Sequence, residues 1–315
     1  MEKGIIIFMK LLIYIPTWNR YESLMEQLEI LKSVTKKDEF IVVVSDNAST
    51  QKEYLKVMDF CNDQSNFEYR KNCSNLGANP NIANGFLFCD KAEYLWILSD
   101  DDLLKPGAVE KVLDWLKKYE PDFLYVVHNL SETENFLNAD QTWLVKHIND
   151  GMGLISLVVY KSSFVRPKIR AGYDNLLSCF PHLAILFEST KGKMAGVCRI
   201  LRDELFYPHE PLPSAEAIVY SHSFFGFTHL ANNLEEGLRK PFIKAWWSAN
   251  WFRVARNMKH SPIQFAIFRS LLFKHISFFG IQWITLMILR PIILLGLFLR
   301  SRIKSIKHDL AKQAD

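Results

Sequence analysis

The sequence predicts an α/β protein: a mostly parallel, doubly wound sheet followed by a basic, apolar helical segment. Three observations predict it. Short apolar runs alternate with helix-patterned stretches at intervals of about thirty residues through roughly the first 130 positions. Polar, turn-forming clusters close three of those runs. Charge is also divided along the chain. The 315 residues carry +4 overall, yet residues 237–308 hold thirteen Lys and Arg and no Asp or Glu, which leaves −9 for the remainder. Such asymmetry points to two parts with different partners. With 49% hydrophobic residues the chain has ample core material, and we place a boundary between 1–230 and 231–315.

Leu11 to Ile15 is an apolar run ending at Pro16-Thr17, which predicts a first strand; Tyr21, Leu24, Met25, Leu28 and Leu31 then recur at helical spacing. Phe40 to Val44 predicts the second strand, ended by the turn and cap residues Ser45 to Thr50. Tyr54, Leu55, Met58 and Phe60 suggest a second helix, and Phe67 to Arg70 a weak third strand. Asn72 to Asn81 reads as a polar loop with Gly77 and Pro80, followed by a helix to about Cys89. Tyr94 to Leu98 predicts the fourth strand. Pro106 opens a helix with apolar Val109, Val112, Leu113 and Leu116, and Phe123 to Val127 predicts the fifth strand. Ser131 to Asp150 reads as a polar loop, Leu154 to Tyr160 as a strand or buried segment, Pro181 to Thr190 as a short helix and Met194 to Leu201 as a strand.

A parallel sheet of this kind gathers Pro16 to Arg20, Ser45 to Ser49 and Ser99 to Asp102 on one rim, where ligands of open α/β sheets bind. Asp100-Asp101-Asp102 is the most informative of these clusters. Adjacent carboxylates repel unless a cation sits among them, and a hard divalent ion held by one or two carboxylates takes its remaining oxygens from substrate phosphates. The plain alternative is a solvated turn capping the next helix. Asp46 can accept from a pyrimidine ring N–H, and the amides of Asn75 to Asn84 suit ribose and phosphate contacts.

Ile15-Pro16-Thr17-Trp18-Asn19-Arg20, Ser45-Asp46-Asn47-Ala48-Ser49-Thr50, Asn75-Leu76-Gly77 and Trp96 to Asp102 together resemble glycosyltransferase family 2 of the GT-A fold, in order and in interval. Within it the chain is similar to bacterial O-antigen and capsule sugar transferases, abequosyltransferase-like members included. The resemblance covers residues 11–130 well and 150–225 loosely. It makes 1–230 the catalytic domain and implies a nucleoside-diphosphate sugar donor, Mn2+ or Mg2+, and an inverting transfer. The positions it assigns to the donor are Pro16, Thr17, Asn19, Arg20, Asp46, Asn47, Asn75, Gly77, Asn79, Asp100 and Asp101, with Asp100 and Asp102 as metal ligands. The catalytic base of the family lies in the second half, where this chain lacks a clear Glu-Asp pair. His182, in Phe180-Pro181-His182-Leu183, is preferred, with Asp174 and Glu188 as the other candidates. A packed or capping histidine is the alternative for His182. His209 and His222 are further candidate metal ligands, Glu210 and Glu216 candidate acceptor-site acids, and Trp18 and Trp96 read as core or wall aromatics.

Ile276 to Leu299 is long enough to cross a bilayer but is interrupted by Arg290-Pro291, and both flanks are basic. Helices in the membrane interface, or a shallow re-entrant hairpin, therefore fit better than a span. We expect residues 237–308 to meet anionic lipid at the cytoplasmic face of a bacterial inner membrane, with a glycan or polyprenyl-diphosphate-linked acceptor and no nucleic acid. A second copy of the chain, or packing on the catalytic domain, is the alternative for the tail. Ile5 to Met9 is too short for a secretory signal, and five cysteines without CxxC spacing predict reduced thiols. Two other functions remain: a nucleotidyltransferase, although no basic glycine-rich triphosphate loop follows the first strand, and a non-catalytic membrane assembly protein with a vestigial nucleotide pocket.

Overall fold

A computed structural model of the chain describes residues 9–127, 136–149, 151–192, 196–208 and 226–257. The first half alternates as the apolar runs require: β1 (Met9–Thr17), α1 (Tyr21–Ser33), β2 (Phe40–Asp46), α2 (Tyr54–Asn62), β3 (Phe67–Lys71), α3 (Ala78–Gly85), β4 (Ala92–Ile97), α4 (Ala108–Tyr119) and β5 (Phe123–Val127). The second half adds β6 (Phe136–Ala139), α5 (Gln141–Lys146), β7 (Val158–Lys161), α6 (Ser162–Val165), α7 (Ile169–Asp174), α8 (Pro181–Ser189), β8 (Gly196–Arg202) and α9 (Glu236–Asn257).

One eight-stranded sheet runs β3-β2-β1-β4-β7-β5-β8-β6. β1 pairs parallel with both β2 and β4, while β7 enters antiparallel between β4 and β5. β1 shows why its run is uniformly apolar: Leu12 and Tyr14 face one core, Leu11, Ile13 and Ile15 the other. A strand covered by helices on both faces has no polar side to present. On α4, Val109, Val112, Leu113 and Leu116 are buried at helical spacing. Pro106 lies in the turn before that helix, which begins after Gly107 at φ +82°.

Two expectations are corrected. The buried stripe of α2 is Tyr54, Val57 and Cys61, whereas Leu55 is 64% exposed and Met58 lies at the surface. The phase is set by the Tyr54 hydroxyl, which reaches Thr17 Oγ1 at 2.7 Å. The polar stretch read as a loop contains β6, antiparallel to β8, and α5, whose N-cap Asp140 accepts from the Trp143 N–H at 2.9 Å. Of residues 231–315, the described part packs against the sheet. Leu234, Phe242, Ile243, Trp246 and Trp247 belong to the same cluster as Leu183 to Phe187. Phe227 stacks on Trp246 at 4.4 Å, and Phe242 meets Phe187 edge-on at 5.6 Å. Packing on the catalytic domain, one alternative for the tail, thus describes its first turns. Among the described residues no helix is long and apolar enough to cross a membrane. Residues 258–308, with Ile276 to Leu299, lie outside the described residues, as do His209, Glu210, Glu216 and His222. The five cysteines are unbonded.

Candidate functional site

The parallel register puts Thr17 beside Asp46 at the ends of β1 and β2, and β4 ends one strand away. The loops that follow are joined by side chains. Asn19, at φ +52°, accepts from the Thr50 N–H at 2.8 Å, and its own N–H donates to Ser49 Oγ at 2.9 Å. Asparagine tolerates this left-handed conformation better than a bulky residue would. Ala48, at φ +60°, has no such excuse and marks local strain in the same loop.

Arg20 draws the acids together. Its Nη1 donates to Asp100 Oδ1 at 2.9 Å and to Asp101 Oδ2 at 2.6 Å. The resemblance assigned Arg20 to the donor, and its guanidinium bridges two of the acids. Asp100 is only 5% exposed, and burial pushes its pKa from the ordinary 3.8 to about 6, against the lowering pull of Arg20 and of a bond from Thr17. Asp102 faces the other way: its Oδ2 accepts from Ser156 Oγ at 2.6 Å.

Removing the Arg20 guanidinium leaves Asp100 with its desolvation cost and less compensation. A folded-state pKa above the unfolded one means that the folded protein binds the extra proton, so stability falls as pH rises through the window from 3.8 to about 6. Arg20→Ala should raise that pKa further and extend the window upward. Because Arg20 is itself 37% exposed, solvent screening limits the loss to about 1–2 kcal/mol at pH 8, shrinking toward pH 5. Melting temperatures of parent and variant across that range check it; a pH-independent difference would contradict the account.

Asp46, expected to accept from a base, is fully buried and also joins the rim together. Its Oδ1 accepts from the Ser49 N–H at 2.7 Å and its Oδ2 from the Tyr69 hydroxyl at 2.6 Å, with Lys71 Nζ at 3.7 Å. Asn47 folds the next loop over the rim: it donates to Asn75 Oδ1 at 2.8 Å and to the Gly77 carbonyl at 3.1 Å, and accepts from the Leu76 N–H at 3.0 Å. Gly77, at φ +86°, makes the turn into α3, and Asn79 donates to the Leu176 carbonyl at 2.7 Å. Asn81 anchors the loop from beneath, accepting from Ser45 Oγ at 2.7 Å and donating to the Ser45 carbonyl at 3.0 Å. Pro16 belongs to β1, next to Thr17. Trp18 is 49% exposed on the rim, a wall, whereas Trp96 is core and donates its indole N–H to the Ser156 carbonyl at 2.7 Å.

The three base candidates separate. His182 is almost fully buried near the start of α8, 6.1 Å from Phe180 between ring centroids. Burial pushes its pKa down to about 4, opposed by the adjoining backbone of Met152 and Gly153. Those backbone groups lie against the ring without forming a well-aligned bond to either nitrogen. Asp174 is exposed and pairs with Arg170 at 3.4 Å. Glu188 sits at the far end of α8, paired with Lys191 at 3.2 Å.

Among the described residues no cluster of three or more His, Cys, Asp or Glu is arranged to hold an ion unaided. Within the acid loop Asp102, whose Oδ2 accepts from a neutral hydroxyl while Asp100 and Asp101 face Arg20, has the chemistry of a carboxylate that binds a hard ion completed by substrate oxygens. Ser156, Tyr54 and Tyr69 were not singled out in the sequence as site residues. Ser156 left one trace there: it is the polar residue within the otherwise apolar stretch Leu154 to Tyr160.

Among curated proteins none matches the chain. Solved structures do. TarS 1–349 of S. aureus in complex with UDP-GlcNAc is 16% identical, with a TM-score of 0.55 over 79% of this chain and 80% of that one. The mannosyltransferase PcManGT of Pyrobaculum calidifontis, in complex with GDP-Man and Mn2+, is 13% identical, with a TM-score of 0.56 over 89% of this chain and 84% of that one. At such identities the likeness establishes a shared GT-A fold. The sequence itself matches the family described as Glycosyl transferase family 2 over residues 12–189, which spans β1 to the end of α8 and includes the joined loops and the acid triplet. The chain is a glycosyltransferase and belongs to that family.

Proposed function

We propose that this enzyme moves a sugar from a nucleoside-diphosphate donor, with inversion and with a divalent ion, onto a lipid-linked or oligosaccharide acceptor. The setting is assembly of bacterial surface polysaccharide, O-antigen or capsule, at the cytoplasmic face of the inner membrane. The observation that carries the donor site is the joining of three strand ends: Arg20 to Asp100 and Asp101, and Asn19 to Ser49 and Thr50. The donors named for TarS and PcManGT support the substrate class, and the manganese of the second supports a metal. The membrane setting is supported by the basic, acid-free composition of residues 237–308.

In this reading Asp102 would hold the ion, while Asp100 and Asp101 stay paired with Arg20. The ion supplies Lewis-acid stabilisation of the departing diphosphate. Trp18 offers an exposed ring face against which a base can stack. His182 takes the acceptor hydroxyl's proton as the acceptor oxygen bonds to the anomeric carbon and the bond from that carbon to the diphosphate breaks. Asp174 and Glu188 are less suited, each being tied to a surface cation. The buried ring of His182 meets an acceptor once the adjoining backbone of Met152 and Gly153 moves aside.

A thermal-shift scan of the full chain in detergent tests the donor site, using uridine, thymidine, cytidine and guanosine diphosphates with and without manganese. A ligand that binds the folded state raises the melting temperature. One nucleotide should stabilise the protein in a manganese-dependent way. Absence of any response would remove the donor-site reading.

A further inference from the structure

Ser156 belongs to the second half of the chain, in the segment that leads into β7, yet it closes the acid loop of the first half. Its hydroxyl is buried and does two things at once: it donates to Asp102 Oδ2 at 2.6 Å and accepts from the Ser99 N–H at 2.9 Å. Its carbonyl receives the Trp96 indole N–H at 2.7 Å, which pins the residue to the end of β4. A hydroxyl held at both ends has no rotational freedom left and gives the Asp102 carboxylate one orientation. Arg20 performs the corresponding service for Asp100 and Asp101 from the opposite side. The triplet is thereby divided, two acids facing a fixed cation and the third facing a fixed hydroxyl.

We propose that Ser156 is the positioning residue for Asp102 as a metal ligand, a role that rests on the metal-dependent donor site proposed above. Groups that hydrogen-bond a ligating carboxylate fix its direction, and losing one typically weakens metal binding about 10- to 100-fold. Ser156 touches neither donor nor acceptor in this account; it acts through Asp102.

Ser156→Ala keeps the carbonyl that holds Trp96 and deletes the hydroxyl alone. Ser156→Cys keeps the size with a weaker donor and serves should the alanine variant fold poorly. Ser162→Ala is the control for losing a buried hydroxyl, since Ser162 Oγ donates to the Ala92 carbonyl at 2.7 Å far from the acids. Free Mn2+ is measured by electron paramagnetic resonance during titration of each protein in the presence of a nucleoside diphosphate, alongside metal-free nucleotide binding. We expect Mn2+ affinity about tenfold or more weaker in Ser156→Ala, intermediate in Ser156→Cys, and unchanged in Ser162→Ala, with metal-free nucleotide binding the same in all. Parental Mn2+ affinity in a folded Ser156→Ala or Ser156→Cys protein overturns the role of Ser156 and leaves the donor site standing. A parent protein that binds no Mn2+ with any of the four nucleotides overturns the metal site, and the role of Ser156 with it.

Discussion

Asp102→Asn is expected to lower sugar transfer by about a thousandfold or more while the protein stays folded. The substitution removes a charge at unchanged shape. The amide oxygen of Asn can still accept from Ser156 Oγ, so the loop geometry and melting temperature should hold, the latter within a degree or two. What disappears is the anionic ligand. Lewis-acid stabilisation of a leaving diphosphate amounts to several kcal/mol, and each 1.36 kcal/mol is a factor of ten in rate. Asp101→Asn provides the contrast: it removes one of Arg20's two partners and should cost far less turnover than Asp102→Asn. Initial rates with saturating donor and manganese decide between them. Equal losses at the two positions would show that the triplet acts as a shared charge rather than through Asp102.

His182→Ala should cut turnover by about 10²- to 10⁴-fold, the usual range for a general base, with donor binding intact. Burial keeps the imidazole neutral at neutral pH, as a proton acceptor must be, by pushing its pKa to about 4. The same burial has a stability signature. A histidine whose folded pKa lies below its unfolded 6.5 costs stability as pH falls from 6.5 toward about 4, because the unfolded chain takes the proton first. His182→Ala should therefore flatten the acid side of the stability profile. Turnover and stability separate the two roles this residue can have. A flattened acid limb with parental turnover would make His182 a packed core residue and return the base to Asp174 or Glu188.

The sheet of the first half was legible because parallel strands buried on both faces have to be apolar throughout, and Leu11 to Ile15, Phe40 to Val44 and Phe123 to Val127 are. The acid triplet was legible as composition at a strand end. Its internal division was not, since it depends on Arg20 arriving from the loop before α1 and Ser156 from the approach to β7. Asp46 stood out as a candidate acceptor for the base; its bond from Tyr69, on the neighbouring strand, was not legible because it depends on the pairing of β2 with β3. A strand of four residues such as β6 carries too little pattern to announce itself, and its pairing with β8 comes from tertiary context.

The entry of β7 between β4 and β5 sets an order of events during synthesis. β4 gains its second neighbour only when residues 158–161 have emerged, more than sixty positions downstream, and β5 pairs with nothing earlier in the chain. At roughly 5–20 residues per second the nascent protein holds an open sheet edge at β4 for about 3–13 s. Such an edge is a template for pairing with other chains. A fragment ending before β7 would keep that edge permanently and leave the Trp96 indole without the carbonyl of Ser156. The first half is for this reason no detachable module, and a ribosome paused between β5 and β7 would leave that edge exposed to other chains.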